Sequence, residues 1–237
     1  MSTLAVCGVN SRENHIEFNE FQHDIKQHFL NEYEESKFKA ELLLRKFIAS
    51  DGRAYIYRSG NVTGHSKTAK FMYNSQDNRL VQFLRSILHL KKLPKAINET
   101  ITLTPVDQVV SGILLIQKTD YLCNGTFHVE SSHQLPLARL FGALVQHGFS
   151  FEKTDKNTFT CLYTSIEAIN NPTIQLGAFW ARRPNRNIQF NHTYTQTILE
   201  KQGHYFSVLS DRWLYNFFEQ LINRGILTQH IKEKEYD

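Results

Sequence analysis

Short apolar runs along the chain alternate with longer stretches in which apolar residues recur every three or four positions, and the two patterns predict different elements. Leu4 to Val9 is a compact apolar run preceded by Ser2-Thr3 and followed by Asn10-Ser11, which predicts a buried strand. Residues 10 to 30 are polar, with Phe18, Phe21 and Phe29 interspersed, and predict a long ordered loop. From Asn31 the period becomes helical: Tyr33, Lys37, Ala40, Glu41 and Leu44 fall at spacings of three and four, so a helix is expected to about Ile48. Asp51-Gly52 marks a turn, and the β-rich run Arg53 to Arg58 predicts a strand, with residues 60–64 as the loop after it. Strand, helix and strand in succession suggest a parallel α/β unit.

The pattern then turns more helical. Asn78 to Leu90 places Leu80, Val81, Leu84, Ile87 and Leu88 on one side, as a core-facing helix does. Thr104-Pro105-Val106-Asp107 has a capping residue, a proline suited to the first turn and an acid able to reach back, so it predicts a helix start, with the helix running to about Gln117. Thr126 to Glu130 predicts a short strand. Further helices are expected at Leu135 to His147, Tyr194 to Gln202 and Asp211 to Arg224, each stopped by a glycine (Gly148, Gly203, Gly225).

Composition narrows the class. Hydrophobic residues make up 41% and charged residues 21% of the 237 positions, an ordinary globular balance that supports a real core. The net charge of +4 comes with no basic block, so electrostatics do not point to nucleic acid. No apolar run approaches the ~18 residues of a membrane span, and the first residues lack the charged and apolar regions of a signal peptide. Cys7, Cys123 and Cys161 are widely spaced, with no CxxC, as reduced thiols of a cytoplasmic protein are. The 11 histidines form no metal-ligand pattern, and no metal is expected.

One constellation points to chemistry. Tyr33-Glu34-Glu35-Ser36-Lys37 puts Tyr33 and Lys37 one turn apart on a helix face. A lysine ammonium beside a phenol favours the phenolate, so such a tyrosine can give a proton to a developing alkoxide. A hydroxyl at a neighbouring strand end could bond the same oxygen, and Ser2 and Thr3 stand in a compatible place. By itself, YxxxK also occurs in helices with a half-buried tyrosine and a solvated lysine. Order and spacing raise its weight: Ser-Thr before a strand, YxxSK on a helix, then a strand ending in Arg58-Ser59-Gly60-Asn61-Val62.

Ser2-Thr3-Leu4-Ala5-Val6, Tyr33 to Glu41, Tyr57 to Gly64 and Leu103 to Asp107 together resemble successive blocks of extended short-chain dehydrogenases/reductases. More narrowly, the chain resembles the terminal thioester reductase domains of nonribosomal peptide and polyketide synthases and of carboxylic acid reductases. The resemblance implies an α/β fold: a Rossmann-like parallel sheet, here with its later strands only, and a helix-rich C-terminal substrate subdomain. Residues 1–64 and about 100–130 would be the C-terminal part of the NADP-binding domain, and about 65–99 and 131–237 the substrate and carrier-binding subdomain. It implies NADPH as cofactor and an acyl or peptidyl carrier protein with its phosphopantetheine arm as partner, with the thioester released as aldehyde or alcohol. Thr3 would polarise the carbonyl, Ser2 being the lesser candidate. Tyr33 would donate the proton, Lys37 would tune Tyr33 and hold the nicotinamide ribose, and the backbone of Gly60, Asn61 and Val62 would pass near the nicotinamide. Arg58 is a weaker candidate at the strand end.

The sequence departs from that pattern at its front. A Rossmann domain opens with a strand and a glycine-rich pyrophosphate turn, but the 11 glycines include no GxGxxG. With each strand–helix unit taking about 30 residues, several units would be expected before Ser2, where only Met1 stands. The expectation is therefore the C-terminal part of a reductase, from a truncated or split frame or an internal start, which needs a separate N-terminal segment for full activity. Two alternatives stand beside it: a noncatalytic carrier-binding module or relic, and another extended short-chain reductase such as a sugar-nucleotide epimerase. Arg182, Arg183, Lys201 and Arg212 are candidates to meet an acidic carrier, set against ordinary surface charge. Trp180, Phe206, Trp213, Phe217 and Phe218 are candidates for an acyl pocket, set against core packing.

Overall fold

The computed structural model describes residues 1–9, 16–163, 165, 170–175 and 188–228. In chain order its strands are β1 (Ser2–Thr3), β2 (Ile16–Phe18), β3 (Ile56–Ser59), β4 (Asn61–Thr63), β5 (Lys92–Pro94), β6 (Thr100–Pro105), β7 (Thr126–His128), β8 (Gln134–Pro136), β9 (Glu152–Thr154) and β10 (Ile188–Phe190). Its α-helices are α1 (Glu32–Ala49), α2 (Arg79–Leu90), α3 (Val106–Gln117), α4 (Leu137–Gln146), α5 (Lys156–Leu162), α6 (Thr193–Glu200) and α7 (Asp211–Asn223). None is long and apolar enough to cross a membrane.

The chain divides into two compact units. The first gathers Met1–Ser66, Thr102–Gln134 and Asn185–Val208. Its central sheet has the order β1-β3-β7, with Ser2 opposite Arg58 and Thr3 opposite Ser59 in one parallel pair and Tyr57 opposite Phe127 in the other. β2 pairs in parallel with β10, and β4 with β6. These all-parallel pairings are those of a Rossmann-like sheet, as expected. Tyr57 of β3, Phe127 of β7 with Val129 just after it, Val109 and Ile116 of α3, Leu122 from the 3₁₀ turn that follows α3, and Leu199 of α6 form a core cluster of this unit. Residues 193–206 thus pack against the sheet through Tyr194, Ile198, Leu199 and Phe206, where the sequence reading grouped everything after residue 131 with the substrate subdomain. Apolar positions at helical spacing on α6 explain the difference, since they are buried against β7 and α3 rather than against the helices on either side of them in sequence.

The second unit gathers Lys67–Ile101, Leu135–Pro184 and Leu209–Asp237. It holds the parallel β5–β9 pair and helices α2, α4, α5 and α7. Leu80, Val81, Leu84, Ile87 and Leu88 of α2 are all buried, and each contributes about 1.5–3 kcal/mol by its removal from water. Trp213, Phe217 and Phe218 of α7 are buried as core, with the Trp213 and Phe217 rings stacked 5.1 Å apart. Arg139 of α4 binds Asp211 at the start of α7 at 2.5 Å. Trp180, Arg182 and Arg183 lie outside the described residues.

Several local expectations are corrected. The apolar run at Leu4 to Val9 is not a strand: β1 ends at Thr3, and Leu4–Cys7 coils into a 3₁₀ turn. Thr3 caps that turn by accepting the Ala5 amide, and Gly8 leaves it at φ +55, a conformation open to glycine. Residues 61–63, read as loop, form β4. Thr104 does not cap α3. It is buried in β6, Pro105 is the cap residue with no side-chain bond, and Asp107 turns to another loop.

Candidate functional site

Helix α1 begins as its sequence dictates. Asn31 accepts the Glu34 amide at 3.1 Å, and the buried Glu34 carboxylate reaches back to the Leu30 amide at 3.2 Å, a reciprocal cap that fixes the entry of the chain. Glu32, Glu34 and Glu35 in the first turn favour the positive end of the helix dipole. From this start Tyr33, Lys37 and Glu41 follow at intervals of four along one face. Lys37 Nζ stands 5.8 Å from the centre of the Tyr33 ring, so the expected pair is brought together. Tyr33 is 45% exposed, whereas Glu41 is 1% exposed. The stripe therefore runs from solvent at its phenol end to the core at its carboxylate end.

At the core end the helix meets the sheet. Ser2 Oγ donates to Glu41 Oε1 at 2.5 Å. The guanidinium of Arg58, fully buried in β3, binds the same carboxylate with Nε 3.0 Å from Oε1 and Nη2 2.7 Å from Oε2. Its Nη1 donates to the Gln22 carbonyl at 2.9 Å and lies 3.4 Å from His128 Nε2. The Phe18 ring lies under the guanidinium at 4.9 Å. Thr3, buried beside Ser2, accepts the Ala5 amide at 3.2 Å through Oγ1, a bond that leaves its hydroxyl proton to be donated. Arg58, a minor candidate in the sequence, is thus the centre of a buried charge network. Glu41 entered the sequence pattern only as a helical-spacing position and not as a site residue; its place four after Lys37 is the signal that could have marked it.

Gly60, Asn61 and Val62 follow directly on β3, so that Gly60 adjoins the Thr3–Ser59 register pair. The segment is pinned: the Asn61 side chain donates to the Thr102 carbonyl at 3.0 Å, the Val62 amide bonds the Gly60 carbonyl at 3.1 Å, and the Val62 side chain packs on the core. Gly60 has no room for a side chain, because a Cβ there would stand 1.6 Å from Glu130 Oε1. Past β4, Asp107 accepts the Ser66 amide at 2.8 Å and the Ser66 hydroxyl at 2.6 Å. Burial pushes the Asp107 carboxyl up, but the two Ser66 bonds outweigh it and hold the group below the usual carboxylate range.

Two histidines flank the network. His128 Nδ1 lies 3.0 Å from the Asn191 carbonyl. A carbonyl only accepts and a guanidinium only donates, so the neutral Nδ1–H form satisfies both neighbours of this ring. Burial first, then the Arg58 and His192 charges, pull its pKa to about 3. Burial likewise lowers His192 to about 4. Both are neutral imidazoles near neutrality.

The residues expected to meet a nicotinamide (Tyr33, Lys37, Thr3 and the Gly60–Val62 segment) thus lie in one compact unit, at the ends of β1 and β3 and on the helix between them. Together they offer a hydroxyl with a proton to donate, a phenol and an ammonium, donor types that the nicotinamide end of a dinucleotide can use. No glycine-rich pyrophosphate turn occurs in the sequence.

Comparison with known proteins bears on the fold. Residues 1–113 match an NAD-binding family model described as male sterility protein. A thiolation-reductase di-domain from an archaeal nonribosomal peptide synthetase superposes with a TM-score of 0.78 at 23% identity, over 94% of this chain and 48% of that one. The terminal R domain from the myxalamid PKS-NRPS biosynthetic pathway superposes with a TM-score of 0.77 at 20% identity, over 96% of this chain and 58% of that one. The chain has the terminal-reductase fold. Within it, a stretch of 124 residues is 31% identical to the L-2-aminoadipate reductase large subunit of Candida glabrata, covering 51% of this chain and 9% of that protein. The chain accordingly spans about half of the reductase structures it superposes on and a small part of the curated relative.

Proposed function

We propose that this chain is the C-terminal part of an NADPH-dependent thioester reductase, which releases an acyl or peptidyl group from a carrier protein as aldehyde or alcohol. It would act with a phosphate-binding segment that is not among these 237 residues. One observation carries the reading: the Tyr33–Lys37 pair stands on a helix whose Glu41, one turn further on, is bonded to Ser2, the neighbour of Thr3, beside the Gly60–Val62 segment.

A nicotinamide held by Lys37 and the Gly60–Val62 backbone would supply hydride for the thioester carbonyl carbon. The residues of this chain supply the rest. Thr3 donates a hydrogen bond to the carbonyl oxygen, which gains negative charge as the carbon becomes tetrahedral. Tyr33 gives that oxygen a proton, and the Lys37 ammonium favours the phenolate left behind. Lys37 also bonds the ribose, while the Gly60, Asn61 and Val62 backbone bounds the ring. The hemithioacetal then expels the carrier's thiol and leaves an aldehyde, which a second round takes to the alcohol.

The test is NADPH oxidation against an acyl thioester on a phosphopantetheinyl carrier, by the chain alone and with a Rossmann segment added. Tyr33→Phe should lower kcat by about 10²–10⁴-fold, the contribution of a positioned general acid. Unchanged turnover in that variant overturns the assignment. Tight carrier binding with no turnover under any complementation would favour the noncatalytic module instead, and turnover of sugar nucleotides would favour an epimerase-like enzyme.

A further inference from the structure

We propose that Glu41 and Arg58 are positioning residues, and that the Ser2 hydroxyl is the link through which they set Thr3 against the Tyr33–Lys37 stripe. The proposal rests on the reductase reading above. It assigns Ser2 a fixing task and leaves the substrate oxygen to Thr3.

The chemistry of the carboxylate comes first. Glu41 and Arg58 are both removed from water, at 1% and 0% exposure. Burying such a pair costs desolvation that an apolar pair of similar size would avoid, so its presence calls for a geometric task. The contacts supply one. A single carboxylate touches three elements: its own helix α1, β3 through Arg58 Nε and Nη2, and β1 through Ser2 Oγ at 2.5 Å. Arg58 is itself held by the Gln22 carbonyl at 2.9 Å and the Asn19 carbonyl at 3.5 Å, so it cannot follow the helix if the helix turns or slides. With its fork geometry fixed, the guanidinium presents two directed donors to the two carboxylate oxygens. That sets both the rotation and the height of α1.

The second step is where this joint sits. Glu41 is one helical turn from Lys37 and two from Tyr33 on the same face, so any rotation of α1 moves the donor hydroxyl with it. Ser2 is bonded covalently to Thr3, whose register against Ser59 is fixed by β-pairing. The direct crossing from β1 to the Tyr33–Lys37 stripe therefore runs through the Ser2–Glu41 bond, beside a second path through β3 and Arg58. The third step is proton accounting. A serine hydroxyl has one proton, and that of Ser2 is given to Glu41. The Thr3 Oγ1 accepts from Ala5 and keeps its proton to donate.

The experiment compares Ser2→Ala, Ser2→Thr, Glu41→Gln, Thr3→Ala and Tyr33→Phe in the thioester assay, with amide exchange of each purified chain measured by NMR. Ser2→Ala keeps the buried pair, so it reads the link even if Glu41→Gln does not fold. Expected are a kcat lower by about tenfold in Ser2→Ala with KM within twofold, as a small misplacement gives, recovery in Ser2→Thr, and a larger, unrecovered loss in Thr3→Ala. The Ala5 amide, which donates to Thr3, should exchange about tenfold faster in Ser2→Ala while the inner amides of α1 do not change. Wild-type kcat and Ala5 exchange in Ser2→Ala, with Tyr33→Phe inactive, overturns the positioning proposal alone. Full activity in Tyr33→Phe overturns the reductase reading and the proposal with it. A loss in Ser2→Ala equal to that in Thr3→Ala and not recovered by Ser2→Thr also overturns it, by making Ser2 a catalytic residue.

Discussion

Lowering the pH from 7 to 5 should destabilise the fold in part through His128, and replacing that one residue should remove its share of the effect. In the folded chain His128 is fully buried, its Nε2 faces the Arg58 guanidinium at 3.4 Å, and its pKa is lowered to about 3. In the unfolded chain it titrates near 6.5. Above that value neither state binds the proton, and the histidine adds no pH dependence. Below it the unfolded chain takes up a proton that the folded chain refuses, so stability falls until the pH reaches the folded pKa. Between 6.5 and pH 5 lie about 1.5 pH units at about 1.36 kcal/mol each, which is about 2 kcal/mol. Against a typical net stability of about 5–15 kcal/mol, that is a large share. His192, lowered to about 4 by burial, adds a comparable loss on the same side, so the wild-type loss exceeds what His128 alone accounts for. The comparison of wild type with a His128 variant isolates the share of His128. Urea unfolding followed by far-UV circular dichroism at pH 7 and pH 5 measures the difference. His128→Asn keeps a donor for the Asn191 carbonyl and cannot charge, so its pH 7 to pH 5 loss should be smaller than that of the wild type by about 2 kcal/mol. Equal losses in the two proteins would refute the reasoning, as would a wild type that gains stability at pH 5.

Gly60→Ala should destabilise by about 1–3 kcal/mol, the usual cost of forcing an atom into a filled site, because its Cβ would meet the buried Glu130 carboxylate. Glu130→Ala in the same chain should restore part of the loss, and a double-mutant cycle of urea midpoints with no coupling would reject the clash. In the second unit, Ile87→Ala should cost about 2–5 kcal/mol as a core truncation, since Ile87 is fully buried. Leu43→Ala on α1, at 68% exposure, should stay within about 0.5 kcal/mol. Thermal melts of the pair check the contrast, and similar losses would contradict the burial assigned to these two helices.

Periodicity and caps carried the long helices. The sequence reading of α1, α2, α4, α6 and α7 differs from the observed ends by a residue or two, because amphipathic spacing extends over several turns and Asn31, Asn78, Gly148, Gly203 and Gly225 mark the ends chemically. Short strands escaped. β2, β5 and β9 have three residues each, too few for a two-residue alternation to stand out, and they exist through pairing with β10 and with each other across long sequence gaps. Leu4 to Val9 misled for the opposite reason: composition suggested a strand, but the Thr3 side chain captured the Ala5 amide and Gly8 turned the chain. Asp107 was read as a local cap, and it bonds Ser66, a partner 41 positions away. Local motifs cannot distinguish those two uses of one carboxylate.

The candidate site shows the same division between local and distant information. Tyr33 and Lys37 are four residues apart on one helix, so their proximity follows from the sequence alone. What holds that helix in place is not local: Arg58 lies 17 residues from Glu41, and Ser2 lies 39 residues from it. Read singly, Glu41, Arg58, Glu20 and His128 are residues that usually face water, yet all four are buried in the first unit. They are tolerable there because each is answered: Arg58 by Glu41, His128 by the Asn191 carbonyl, and Glu20 by the Thr195 amide and hydroxyl at 3.0 and 2.7 Å. Such a polar core is directional where an apolar one is not, since each partner fixes an angle as well as a distance. Its place beside the ends of β1, β3 and β7 is where direction matters on the proposed reading, in which a strand hydroxyl and a helix phenol are aimed at one oxygen.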